Sequence, residues 1–137
     1  MAIEERYLAD VEAVLSHRYD NGADYWTTPD NRLIKGAPFS TLESALLLLE
    51  LGMDKDEPLL KETADLIFST WREDGRFKLY PQGGIYPCHT ANALNVLCHL
   101  GYASDARIQK TFRHLLETQY ADGGWRCIRL SRKWSIR

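Results

Sequence analysis

Apolar positions recur along this chain with the spacing of helices that show one face to a core. Between residues 3 and 15, Ile3, Tyr7, Leu8, Val11, Val14 and Leu15 fall on one side of a 3.6-residue period. Residues 57–71 repeat the pattern with Leu59, Leu60, Ala64, Ile67, Phe68 and Trp71. Residues 105–119 repeat it with Ile108, Phe112, Leu115 and Leu116, leaving Lys110, Arg113, His114 and Glu117 outside. The segments 41–51 and 91–100 differ. Leu46 to Leu49 is apolar nearly all round, the pattern of a helix covered by its neighbours.

End signals divide these segments. Ser40-Thr41-Leu42-Glu43 fits a capping box, in which the Ser40 hydroxyl accepts from the Glu43 amide and Glu43 reaches back. Asp56, followed by Pro58, and Ser104 are candidate N-caps. Gly52 and Gly101 stand where a helix end asks for a residue of positive φ. The pattern predicts an all-α domain of five helices, at about 3–17, 40–51, 56–71, 89–100 and 104–119. Two long loops, 18–39 and 72–88, are rich in Gly, Pro and Tyr, and loops of that length are usually functional or packed on themselves.

The chain also repeats itself. Leu51-Gly52 and Leu100-Gly101 lie 49 residues apart, and Asp74-Gly75 and Asp122-Gly123 lie 48 apart. Asp20-Asn21-Gly22, followed by Tyr25-Trp26, reads as an earlier, degenerate copy. A unit of about 49 residues, present roughly two and a half times, suits a helical hairpin with one long loop.

The most specific segment is Gln119-Tyr120-Ala121-Asp122-Gly123-Gly124-Trp125, which follows an amphipathic helix. It resembles the Gln-x-x-Asp-Gly-x-Trp repeat of squalene/hopene cyclases, a family related to the protein prenyltransferases. Residues 69–77 look like a diverged copy, with Trp71 in place of Gln119, Arg76 aligned with Trp125 at an offset of 49, and Phe77 the nearest aromatic. The resemblance covers most of residues 3–126. It implies an α/α toroid in which outer helices ring inner ones. Helices 3–17, 56–71 and 104–119 would be outer, and 40–51 and 89–100 inner. A whole toroid takes about six hairpins, so this chain would form a partial, open arc, to be completed by a second copy or by the rest of a longer toroid. Gln119, Asp122, Gly123 and Trp125 would be its structural motif. The indole would fold back on the Gln119 amide, and that amide would reach free backbone groups of a neighbouring outer helix. The family's reactions do not carry over: the chain has neither the Asp-x-Asp-Asp run of the cyclases nor the Asp-x-Cys of the prenyltransferase zinc site.

Composition narrows the class. A chain of 137 residues with 45% apolar and 26% charged residues is a single globular domain, not a disordered or fibrous one. The run Ala45 to Leu49 is too short to span a bilayer. An acidic N-terminus without an apolar signal region and an odd count of three cysteines point to a cytoplasmic protein without a disulfide framework. Residues 126–137 form a basic tail with five basic residues and no acid. The first 125 residues carry the other 12 basic residues and all 19 acids. The acidic body speaks against nucleic acid, and Gly83-Gly84 lacks the Lys-Ser/Thr of a phosphate loop.

Three groups of residues offer chemistry. His89, Asn92, Asn95 and His99 share one face of the second inner helix, and a shift of 49 sets Ser40, Glu43, Leu46 and Glu50 on the first. Glu43 and Glu50 facing His89 and His99 would make an acid/base site, or simply a solvated face. Cys88, His89 and Cys127 supply three ligands of the type zinc takes, though in no strong spacing, so ordinary thiols are the simpler reading and no cofactor is expected. Cys98, between Leu97 and His99, reads as core. The aromatics Tyr19, Tyr25, Trp26, Tyr80, Tyr86 and Trp125 collect toward the hairpin ends. There they would pack the loops or, with Asn92 and Asn95, line a pocket for an apolar, isoprenoid-like molecule. The expectation is a binding or scaffold module for an apolar ligand or a partner chain. The alternatives are an enzyme using the inner face or a fragment of a glycan-processing α/α barrel.

Overall fold

A computed structural model describes residues 3–34 and 39–127; the basic tail from residue 128 onward lies outside the described residues. The five helices are α1 (Leu8–Ser16), α2 (Thr41–Glu50), α3 (Pro58–Phe68), α4 (Pro87–Leu97) and α5 (Ala106–Thr118). A single 3-10 turn, Glu5–Tyr7, precedes α1, and a π-helical turn, Cys98–Tyr102, follows α4. The all-α expectation holds: among the described residues there is no strand, only an isolated antiparallel pairing of Trp71 with Phe77.

Helices α2 and α4 pack on each other; α1 lies against α2, α3 against both α2 and α4, and α5 against α4. Helices α2 and α4 supply much of the core, but the apolar run of α2 is not covered all round: Leu48 is buried, whereas Leu46, Leu47 and Leu49 are half-buried. Leu42, Ala45 and Leu48 of α2 and Ala93, Leu94, Val96 and Leu97 of α4 are core residues. Leu60, Ala64, Ile67 and Phe68 of α3 and Ile108 of α5 complete that core from outside.

Helix ends separate correct cues from misleading ones. Gly52 (φ 104°) and Gly101 (φ 99°) hold the left-handed conformation that ends α2 and the π turn. The Gly52 and Met53 amides then donate back to Leu49 and Leu48, satisfying carbonyls that the helix leaves open. Pro58 opens α3, and Pro87 opens α4 two residues before the expected start at 89. The capping box is not formed: Ser40 makes no side-chain cap, and its hydroxyl is buried without a partner among the described residues. Its carbonyl instead receives the Ser44 amide. Asp105, not Ser104, caps α5, accepting from the Arg107 amide at 2.8 Å. Glu57, not Asp56, precedes α3.

The internal repeat is visible in the hydrogen bonds. After α3, the Arg72 amide donates to Arg76 O, the Gly75 amide to Arg72 O, and the Arg76 amide to the Asp74 carboxylate. After α5, the Tyr120 amide donates to Gly124 O, the Gly123 amide to Tyr120 O, and the Gly124 amide to the Asp122 carboxylate. Each bond recurs 48 residues on, so Arg76 corresponds to Gly124 and Phe77, not Arg76, corresponds to Trp125. After α1 the glycine turn is kept, with the Gly22 amide donating to Tyr19 O.

Candidate functional site

The two long loops meet before they reach the helices. The Leu33 amide donates to the Leu79 carbonyl at 3.3 Å, which lays residues around 32 beside residues around 80. Arg32 is clamped there. Its amide donates to the Thr28 hydroxyl, and its carbonyl accepts from the Thr27 hydroxyl. Its guanidinium pairs with Asp30 at 3.0 Å and lies 5.8 Å from the Tyr80 ring centre. On the other side, Pro87 starts α4 and places Cys88 and His89 in the first helical turn.

These elements enclose an open cleft of about 440 Å³ lined by Arg32, Tyr80, Gln82, Tyr86, Cys88, His89 and Cys127. That is the size of a small-molecule site. His89 forms its inner wall. It is 7% exposed, and Tyr80 and Tyr86 meet its ring edgewise, each with centroids 4.9 Å away. Its Nδ1 is buried and has no hydrogen-bond partner among the described residues. Burial lowers the His89 pKa from its ordinary value, which favours the neutral ring. Such a ring has one donor and one acceptor nitrogen, and a buried polar atom left unpaired costs about 1–3 kcal/mol.

The inner-face quartet is not gathered into one site. Glu43, Asn92 and Asn95 line a second, smaller cleft of about 230 Å³ with Ser40 and Leu46. Glu50 is exposed, and His99, also exposed, turns a ring nitrogen to the Asn95 carbonyl of its own helix at 2.8 Å. The expected acid/base face thus divides. His89 belongs to one cleft and Glu43 to another, while Glu50 and His99 stand in solvent. Cys88, His89 and Cys127 do share the larger cleft, but among the described residues no three His, Cys, Asp or Glu side chains gather closely enough to hold a metal ion. Cys98 is partly buried, and burial pushes its thiol pKa up.

The aromatic residues also part company. Tyr86 and Tyr80 reach the cleft, whereas Trp26 is completely buried and belongs to the core instead of a ligand surface. Arg32 and Gln82 were not indicated by the sequence. Neither belongs to a periodic segment, and only the pairing of the two loops brings them to the cleft.

The Gln119–Trp125 turn departs from the expectation too. Gln119 Nε2 donates to the Gly123 carbonyl of its own turn at 2.7 Å and does not reach a neighbouring helix. The Trp125 indole donates to Leu115 O at 2.8 Å and is 41% exposed. A tie to a neighbouring helix occurs one repeat earlier, between the turn after α3 and α5. Trp71 Nε1 donates to the Thr111 hydroxyl of α5 at 3.1 Å, and that hydroxyl donates to the Gly75 carbonyl at 2.7 Å.

Set against known proteins, the sequence matches no protein-family model and no curated protein. Among the described residues, no helix is long and apolar enough to cross a membrane.

Proposed function

We propose that this chain is a helical-repeat binding module whose hairpins stack as an open arc of the α/α-toroid type, similar to squalene-cyclase and prenyltransferase repeats, and that the cleft at the start of α4 takes a small, largely apolar molecule bearing one hydroxyl. The observation that carries the reading is His89. Its buried Nδ1 lacks a partner among the described residues, in a cleft walled by two tyrosine rings. Nδ1 is closed to solvent, so a turn of the ring toward the cleft would bring it to a ligand hydroxyl, which can either donate to or accept from it in either tautomer. The Tyr80 and Tyr86 rings provide apolar surface for the rest of the molecule.

Farnesol, an isoprenoid alcohol, is a suitable probe, with its methyl ether as the control that can no longer donate. Calorimetric titration is expected to show saturable binding of one farnesol per chain. His89→Phe is expected to weaken it at least about tenfold, the equivalent of one hydrogen bond of about 1.4 kcal/mol. No saturable binding, or equal affinity in the His89→Phe variant, would sink the reading.

A second reading, an enzyme, has one observation in its favour: a neutral imidazole shares the cleft with the Cys88 and Cys127 thiols. Such a base is suited to drawing a proton from a thiol or a bound hydroxyl. A pH-dependent reaction of Cys88 with iodoacetamide that is lost in His89→Phe would favour it over simple binding. Zinc on Cys88, His89 and Cys127 would need a further ligand or a closer approach of these three side chains.

A further inference from the structure

Each of the first two loops is received by the outer helix of the next hairpin. The Tyr25 hydroxyl of the first donates to Glu62 on α3, and the second is tied to α5 through Thr111. The second loop lies close against Lys110 and His114 of α5; a methyl group on Gly75 would meet the Lys110 carbonyl at 3.0 Å and His114 Cβ at 3.1 Å. At 100° per residue, Phe112 and Leu116 point roughly 160° away from Lys110 and His114, onto the opposite flank of the helix. That flank is open among the described residues. Leu116 is 71% exposed and Phe112 39%, and Trp125 stands beside the same helix with 41% of its surface open.

Two charged residues border the apolar pair. Arg113 and Glu117 are exposed, one turn apart, and neither takes part in an ion pair among the described residues. Their arrangement is self-complementary. When two α5 helices cross antiparallel about a twofold axis near His114 and Leu115, Phe112 of each lies opposite Leu116 of the other. Arg113 of each then lies opposite Glu117 of the other, so both charge pairs are matched at once.

We infer that the outer flank of α5, with Phe112, Leu116, Arg113 and Glu117, is the interface at which a second copy of this chain docks in an antiparallel, twofold arrangement. This goes beyond the proposed function and does not rest on the ligand cleft. Its test reads mass, so a negative result leaves the ligand cleft untouched, and a failed farnesol titration leaves the dimer untouched.

Sedimentation equilibrium of the whole protein over a wide concentration range is expected to show a monomer–dimer equilibrium. Leu116→Glu, at an exposed position that folding does not need, should raise the dissociation constant at least about tenfold with an unchanged circular dichroism spectrum. Arg113→Glu and Glu117→Arg should each weaken the dimer by bringing like charges together. An equal mixture of these two single variants should dimerise again. In the mixed dimer one chain carries an acid at both positions and the other a base at both, so each of the two contacts again joins opposite charges. A monomer at every concentration overturns the inference. A dimer indifferent to Leu116→Glu, or a mixture no tighter than its components, overturns it equally, since association then uses another surface or another geometry.

Discussion

In the loop that follows α1, the Trp26 indole donates to the Val14 carbonyl at 2.9 Å and none of its surface is exposed. In the turn that follows α5, the Trp125 indole donates to the Leu115 carbonyl at 2.8 Å and 41% of its surface is exposed. The hydrogen bond is the same in kind: an indole N–H satisfies a carbonyl near the end of the helix it follows. Burial is what differs, and burial comes from the chain beyond. Thr41 of α2 donates to Tyr25 O at 2.7 Å, and Asn21 spans from Trp26 O to Phe39 O, closing the first loop over its indole. Those bonds also hold Tyr25 (φ 58°) and Trp26 (φ 56°) in a left-handed backbone that bulky residues rarely adopt. The comparison separates two roles of one motif. Ending its own helix is local and needs nothing else, while anchoring a core requires a following hairpin.

The sharpest way to break this comparison is to truncate the two indoles. Trp26→Ala is expected to cost about 3–5 kcal/mol, the range for removing a large aromatic from a core, as read from urea melts. Should it cost no more than Trp125→Ala, the distinction between the two turns fails. Next in size is the tie at the middle turn. Thr111→Val keeps the shape but removes the hydroxyl between Trp71 and the buried Gly75 carbonyl, at an expected cost of about 1–3 kcal/mol in the same melts. An effect under about 0.5 kcal/mol would class Thr111 with ordinary surface sites and deny the tie. Smallest are the changes at the last turn. Trp125→Ala is expected to cost about 1 kcal/mol, mostly the hydrogen bond to Leu115. Gln119→Ala should stay within about 0.5 kcal/mol, because its bond to Gly123 is exposed to water. The double variant should be near additive, since each side chain bonds a different carbonyl. Strong coupling between the two would show that the indole and the amide act as one unit.

What could be read from the sequence follows the range of the interactions involved. Helix type and number depend on periodicity within a dozen residues, and Leu46–Leu49 against the striped 105–119 already distinguished α2 from α5. Glycine stops were legible because a single local φ decides them, as at Gly52 and Gly101. Caps were less so. Ser40 has the right neighbours for a capping box, but Asn21, bonded to the Phe39 carbonyl, and the Leu42 amide, bonded to the Leu33 carbonyl, hold that entry in another geometry. The cleft was half legible. Cys88, His89, Tyr86 and Cys127 were singled out by residue type, but the inner-face alignment grouped His89 with His99 and Glu50. Helical phase alone does not show that His89, in the first turn of α4, faces the loops. Arg32 entered through one loop-to-loop hydrogen bond between Leu33 and Leu79, a contact 46 residues apart that no local pattern encodes.

Gly75 gives this architecture a gauge. Its backbone (φ 93°) passes so near α5 that even one methyl group would press on the Lys110 carbonyl. The approach of the second loop to α5 is therefore set by a hydrogen atom where every other amino acid carries carbon. Gly123, with nearly the same φ of 91°, would meet only its own Gln119 amide at 3.9 Å. The same turn is thus held to a fixed spacing at its first copy and to none among the described residues at its second.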